Sequence, residues 1–474
     1  MRTYRSSQLT RPLATMAIVL ACLFITSGDG TSVAGIQGSG FRAKSLGRIT
    51  QFGSIFVNGV EYDTSAANIR IDGEPGSESR LRVGQVVTVT GEVNAEGTAG
   101  TATEVTFSSD VMGPVAQVDL AGGTLVILGQ KIRLLPDTLL DEALPLGGIL
   151  GLLPGIKLQV SGFPNAAGEL VASRIDLVPG GPATARVKGI VQGLNTTSHT
   201  FRVNTQTVDY SEVAPMGTLA NGSIVSVQGS IPSGQTSLRA TQVEVASGLG
   251  GAQGELGQIE GFITVFNTAA DFMMGAQRIA TDANTQFVLH GKVLDPNLAV
   301  EVNGVFDAAG VLVARRIEAS SAGVVGVLGL VESVSASGHS LRVLGVDFTI
   351  SDATAFDDKS SQNLRLFGLS DVRPGDYVEV RGAALQPGGA IHATVVKRDD
   401  TRNEFYLEGA ALNLLAPTLN VLGVPVVTTL QTRFPTGGLL ASLKFFLEAP
   451  NRIVRVRGTM SGNIMVAERI AFVK

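Results

Sequence analysis

The chain has 474 residues, 16% of them charged, 44% hydrophobic and 5% aromatic, with 58 glycines and a net charge of −5 at pH 7. That length exceeds what one growing core usually fills, so several units are expected, while the apolar content offsets chain entropy and excludes wholesale disorder. The acidic balance gives no general attraction to a polyanion, and the lone cysteine, Cys22, excludes an intrachain disulfide and any multi-cysteine metal site.

The N-terminus reads as an export signal. Arg2, Arg5 and Arg11 precede the apolar run LATMAIVLACLFI over 13–25, shorter than the ~20 residues that span a bilayer, and the polar TSGDGTS follows. VLAC over 19–22 is similar to a bacterial lipobox, which predicts cleavage after Ala21 and lipid attachment at Cys22; Leu20 and the apolar residues after Cys22 are unusual for such a box, and the alternative is a leader over 1–34 cut after Ala34. The expected address is the periplasm or outer membrane as a lipoprotein, or secretion. Membrane contact is expected only through the N-terminal lipid, because no later segment is long and apolar enough to span.

Downstream, one pattern recurs six times. An apolar-x-Val-x-Gly strand ends at Gly91, Gly162, Gly229, Gly304, Gly382 and Gly458, and an Ala-x-x-apolar strand follows from Ala102, Ala172, Ala240, Ala314, Ala393 and Ala467. Alternation of apolar and polar residues puts one strand face in a core and the other in water, so each pair is read as a β-hairpin. Ahead of it lies a strand holding a glycine (Gly47, Gly113, Gly189, Gly261, Gly329, Gly409), then a turn and a second strand, as in IFVNGVEYDT and SLRVLGVDFTI, and a short third strand such as NIRIDG. A variable stretch of weak helical character separates the halves. The resulting units are 44–109, 110–178, 183–247, 255–320, 323–399 and 403–474.

Five strands with an interruption after the third predict an all-β tandem array of about six small OB-like barrels, in which a sheet bends on itself and loses its edges. The competing architecture is a six-bladed β-propeller. Short connectors such as SSDV (108–111) predict that neighbouring units pack together. The glycine-rich ASGLGGAQGEL (246–256) reads as a hinge dividing three units from three.

Motifs that carry chemistry are few, and no catalytic, cofactor or metal residue is nominated. His199, His290, His339 and His392 have no metal-ligand spacing, and His199 and His339 fall at corresponding hairpin turns. GHSLR (338–342) has Arg342 where a nucleophile elbow needs glycine and sits between strands. The acidic pairs Asp357/Asp358 and Asp399/Asp400 lack a calcium-loop pattern and are expected to be solvated. GIQGSG (35–40) has no flanking strand, helix or lysine for a phosphate cradle and reads as a tether. The segment 401–474 is locally basic, with eight Lys or Arg against four Glu, and Arg455 and Arg457 share a strand face as the candidate patch for an anionic partner. With no tryptophan and five tyrosines, stacking on bases or sugars is weakly provided for.

GIQGSG (35–40), ITQFGSIFVNGVEYDTS (49–65), IRIDG (69–73) and LRVGQVVTVTGEV (81–93) carry a resemblance. The first unit resembles the bacterial family Domain of Unknown Function 5666, whose members carry such units in tandem after a glycine-rich leader; Gln37 and Ser39 depart from that leader. The resemblance implies small β-barrels and an envelope address, and it implies no activity. The expected role is a non-enzymatic envelope scaffold or binding protein that presents similar units to a protein or polymer, without cofactor and without nucleic acid. A carbohydrate- or polymer-processing enzyme with a site between units, and a periplasmic assembly factor, are the alternatives.

Overall fold

The computed structural model describes residues 40–473 except 53, 96, 121, 146–147, 181–183, 290, 321–324, 385–389, 436–439 and 451. Cys22, the leader and His290 lie outside the described residues.

Each repeat closes a Greek-key circuit in the strand order first, second, third, fifth, fourth, first, as in OB-type barrels. In repeat 2 these strands are Val111–Asp119, Thr124–Ile127, Gln130–Leu140, Lys157–Pro164 and Leu170–Leu177. The third runs parallel to the fifth, the fifth antiparallel to the fourth, and the fourth closes on the first. Repeats 3 and 6 trace the same circuit with five strands. In repeats 1 and 5 the third strand is in two pieces, both parallel to the fifth. In repeat 4 it is the first strand that is interrupted, as Leu256–Phe262 and Val265–Thr268. The propeller alternative is displaced, because each sheet returns to its own first strand. The stretch before the fourth strand is a short 3-10 turn in repeats 1, 2 and 5 and a helix, Ala441–Glu448, in repeat 6. No helix among the described residues is long and apolar enough to cross a membrane.

Two glycine positions explain why the pattern repeats. At the end of the fourth strand the pairing with the fifth shifts register at every copy, for example between Gln228 and Gly229 and between Arg457 and Gly458. At that bulge a Cβ on Gly229 would lie 2.0 Å from the Arg239 carbonyl oxygen, so no side chain fits. The residue opposite is the recurring alanine, such as Ala240 or Ala467, and it is buried. In the first strand, a Cβ on Gly329 would meet Leu344, and one on Gly409 would meet Leu422. These leucines occupy left-handed turn positions at the tip of the second–third hairpin and fold over the strand.

The repeats fuse through their first strands. Repeats 1 and 4 pair in parallel, Ala43 to Leu46 against Leu256 to Ile259. Repeats 2 and 3 pair antiparallel at Val111/Val187 and Met112/Arg186, and repeats 5 and 6 pair antiparallel from Gly326/Glu408 to Leu328/Tyr406. Three sheets result, of 13, 10 and 11 strands. Core residues of repeats 2 and 3 form one cluster, as do those of repeats 5 and 6, and the core around repeat 1 takes in Leu139 of repeat 2 and Ala355 and Val395 of repeat 5. Packing therefore reaches beyond sequence neighbours.

The expected hinge at 246–256 is corrected. Lys44 Nζ donates to the carbonyls of Leu249 (3.2 Å) and Gly250 (2.9 Å), and the Leu249 amide donates to Gln277 Oε1 at 2.9 Å. The Gly254 amide donates to the Phe306 carbonyl at 2.9 Å. Glycine serves close approach here instead of freedom: a Cβ on Gly251 would lie 2.0 Å from the Phe306 ring.

Candidate functional site: the junctions between repeats

The outward positions of the fourth strands, read from alternation as water-facing, line the junctions. Between repeats 5 and 6 the fully buried Glu408 accepts from Arg381 Nη1 at 3.0 Å and from Arg455 Nε. Arg381 also donates through Nε to Glu379 Oε1 (2.8 Å), which takes the Tyr406 hydroxyl at 2.6 Å. Burial alone would raise the Glu379 carboxyl, but Lys397, Arg381 and the Tyr406 hydroxyl outweigh it and hold the pKa at about 2. Burial pushes Tyr406 well up, and the Glu379 charge pushes it further.

Repeats 1 and 4 meet over Ser45, whose hydroxyl pairs with Tyr62 at 2.7 Å and donates to Gln258 Oε1 at 2.9 Å. Burial drives the Tyr62 phenol up to about 12, partly opposed by its hydrogen bond with Ser45. Beside them Arg48 Nε lies 3.1 Å from Glu260. Glu260, Glu301 and Glu318 stand opposite one another on three adjacent strands. Burial raises Glu301 to about 7, partly opposed by the Asn303 amide, and the Glu260 and Glu318 charges add to the rise. Among repeats 1, 2 and 3, Arg186 donates to the Asp72 carbonyl (3.0 Å) and to Gln228, and its Nε lies 3.4 Å from Asp72 Oδ1, too poorly aligned to hydrogen-bond.

The acidic pair Asp357/Asp358 is also corrected, because it is not solvated. Asp358 is buried and accepts a two-pronged pair from Arg398 at 3.0 and 2.5 Å. Burial would raise it; the Arg398 and Ser360 hydrogen bonds and the backbone amides of Leu364 and Ser360 bring it to about 2. Asp357 lies 3.0 Å from Lys359, which also pairs with Glu142 of repeat 2. Burial lowers Lys359 to about 8, with Lys397 and Arg82 adding to the shift. Asp399 pairs with Arg402 at 2.8 Å, and Asp400 accepts from the Ser361 amide at 2.9 Å.

Arg455 and Arg457 do share a strand, yet each is already partnered, Arg455 by Glu408 and Arg457 by Glu404 at 2.6 Å. His199 and His339 occupy equivalent turns with φ of 51° and 48°, and His199 sits edge-on to Tyr210. His392 lies in the fifth strand of repeat 5 opposite Ala383. No group of three or more His, Cys, Asp or Glu among the described residues could hold a metal ion. A cleft of about 630 Å³ in repeat 3 is lined by Leu194, His199, Tyr210, Glu212 and Leu219 among others, and one of about 460 Å³ in repeat 1 by Asp63, Thr64, Ser65 and Glu78 among others. The two clefts occupy equivalent places, each beside an Asx turn (Asp209 to the Ser211 amide, 3.0 Å; Asp63 to the Ser65 amide, 2.9 Å). Chemically, the junctions are ion-pair locks whose carboxylates are mostly committed to arginine or lysine.

A family model described as Domain of unknown function (DUF5666) matches six segments of the chain, 47–106, 112–176, 187–244, 260–318, 329–397 and 410–471. No curated protein sequence matches. Among solved structures, drosophila Unr CSD456 matches with 15% sequence identity and a TM-score of 0.11, covering 45% of this chain and 97% of that one.

Proposed function

The chain belongs to the DUF5666 family, and from that premise we propose that it is a non-enzymatic scaffold or binding protein of the cell envelope, exported and anchored through Cys22, that holds its barrels as one body for an envelope protein or polymer. The observation that carries this is the joining of the six barrels in three pairs by first-strand pairing, with the repeat 1 core packing against repeats 2 and 5 and the junctions holding buried ion pairs such as Arg381–Glu408–Arg455. Carboxylates at such a junction are neutralised by arginine and so are poorly suited to general acid or base work, which needs a group able to exchange its proton near neutral pH. A body with several similar faces suits multivalent contact, in which weak contacts reinforce one another through effective concentration.

Intact-mass analysis of the mature protein, combined with cell fractionation, tests the address. The expected result is a diacylglyceryl-modified N-terminal Cys22 in a membrane fraction, and a mature start at Gly35 in a soluble fraction overturns the anchor. Incubation of the purified protein with envelope polysaccharides tests the non-enzymatic role, which turnover would overturn. Among the described residues Glu301 favours the processing-enzyme alternative, since it holds a proton to about pH 7 beside the Glu260 carboxylate. Glu301→Gln abolishes any such turnover under the enzyme reading; under the scaffold reading there is no turnover to lose, and the substitution alters only the pH dependence of the repeat 1–4 junction.

A further inference from the structure

Repeat 6 differs from the rest of the chain in two respects that meet at one place. Seven of the twenty exposed large hydrophobic residues among the described residues belong to it, and it carries seven Lys or Arg against four Glu in a chain whose net charge is −5. The stretch Thr429 to Arg452 concentrates both. Leu430 is fully exposed, and Leu440, Leu443 and Leu447, spaced three and four apart along and just before the helix Ala441–Glu448, are exposed by more than half. The opposite side of that helix is anchored: Phe445 is buried against Phe434 and Phe472, each with ring centres 5.5 Å away. This seats the helix beside the ends of the third strand, Val424–Arg433, and the fifth, Ile464–Phe472.

Those strand ends carry the charge. Arg433 and Arg469 are direct cross-strand partners, both exposed, and neither meets a carboxylate among the described residues. Like charges placed opposite one another destabilise a sheet, and an anion between them relieves the repulsion. Lys444 is exposed on the helix between Leu443 and Leu447. Glu404 and Glu408 are committed to Arg457 and Arg455, leaving only the exposed Glu448 and Glu468 to offset Arg433, Lys444 and Arg469. The paired Arg455 and Arg457 are thus not the available cations of this repeat.

We infer that the exposed leucines of the repeat 6 helix and the Arg433/Arg469 pair form a docking face for an anionic lipid surface, with the leucines entering the interface and the cations meeting headgroup phosphates. The occupant is argued from charge: apolar side chains flanked by unpaired cations suit an anionic membrane interface, where each basic residue adds attraction and each buried apolar side chain adds hold. This deepens the envelope role proposed above and rests on it, adding a second membrane contact to the N-terminal lipid.

The chain contains no tryptophan, so Leu443→Trp makes a single reporter that sees this helix alone, whatever the N-terminal segment does. The full chain is mixed with vesicles of phosphatidylcholine, with or without a third phosphatidylglycerol, each carrying brominated acyl chains. The expected result is a blue shift and at least twofold quenching with the anionic vesicles only, removed when Arg433→Glu and Arg469→Glu are added or when salt is raised to about 0.5 M. A Leu120→Trp reporter on repeat 2 is expected to stay unquenched. The inference is overturned if Leu443→Trp is not quenched, if phosphatidylcholine alone quenches it equally, if the arginine changes leave quenching intact, or if the repeat 2 reporter behaves the same. Inorganic phosphate at 10 mM distinguishes a free anion site: full competition overturns the lipid assignment. None of these outcomes touches the envelope role itself, which the Cys22 mass and the fractionation decide.

Discussion

Glu408→Gln isolates the lock between repeats 5 and 6, because it keeps the side-chain volume and removes only the charge. Glu408 is fully buried and divides its oxygens between Arg381 and Arg455. Arg381 is itself buried and keeps Glu379 at 2.8 Å, so one guanidinium stays half-compensated while the other turns toward water. Removing one partner from a buried pair costs about 3–5 kcal/mol, and each 1.4 kcal/mol is tenfold in an opening equilibrium. Because several sheets need not unfold together, the measurement is native-state hydrogen exchange resolved by strand. Protection in Phe405–Leu415 and in Val325–Ser335 is expected to fall roughly a hundred- to several-thousand-fold, while the sheets containing repeats 1 to 4 change little. Glu404→Gln breaks the half-exposed pair with Arg457 and is expected to cost no more than about 1 kcal/mol. If Glu408→Gln costs no more than Glu404→Gln, the ion pairs are not what lock these barrels. Adding Arg381→Met to Glu408→Gln should recover part of the loss, since an apolar residue no longer needs the missing charge.

Gly229→Ala should destabilise repeat 3 by about 1–3 kcal/mol in urea melts, because its Cβ would lie 2.0 Å from the Arg239 carbonyl. Gly234→Ala, with φ of +76° and open space around it, should cost nearer 1 kcal/mol from the left-handed backbone alone; the reverse order would remove the bulge explanation. Thr432→Val should cost about 1 kcal/mol and loosen exchange in Ile464–Phe472, since the buried Thr432 hydroxyl donates to the Ala467 carbonyl. The junctions should respond to pH in opposite senses. Glu379 and Asp358 sit at about 2 when folded, so their stabilisation of repeat 5 is complete above about pH 4.5 and is lost as pH falls toward 2. Glu301 is raised to about 7, so the repeat 1–4 junction is tightest below about pH 4.5 and loosens as pH rises to 7. Strand-resolved exchange at pH 3, 5 and 7.5, with Glu301→Gln flattening the upper limb, checks both signs.

Much of the barrel was legible because its most constrained positions are also its most repetitive. The fourth-strand glycine recurs because a carbonyl occupies the space of its Cβ, and the opposed alanine recurs because a bulge buries it. A third constraint of this kind is less visible in the sequence. Thr138, Thr285, Thr354 and Thr432 each donate to the carbonyl of that recurring alanine, from Ala172, Ala314, Ala393 and Ala467, at 2.6 to 2.8 Å. In sequence it is a threonine 29 to 39 residues before the alanine in four copies, and because the spacing varies with the third–fourth connection it has no fixed period.

What alternation could not convey is what lies on the second face. A period of two separates the inside of a strand from the outside, but it does not distinguish water from another barrel. Glu379, Arg381 and Arg455 in VEVRG and VRVRG have the composition of a solvated face, and each instead meets a charge at the 5–6 junction. The same ambiguity hid the pairing of repeat 1 with repeat 4, since nothing in Ala43 to Leu46 names Leu256 to Ile259 as its partner. A strand read as polar on one side is therefore a candidate interface wherever its charges lack local partners. By that criterion Arg433 and Arg469, adjacent and exposed with no carboxylate partner among the described residues, resemble junction residues awaiting a counterpart, whereas Arg455 and Arg457 are junction residues already satisfied.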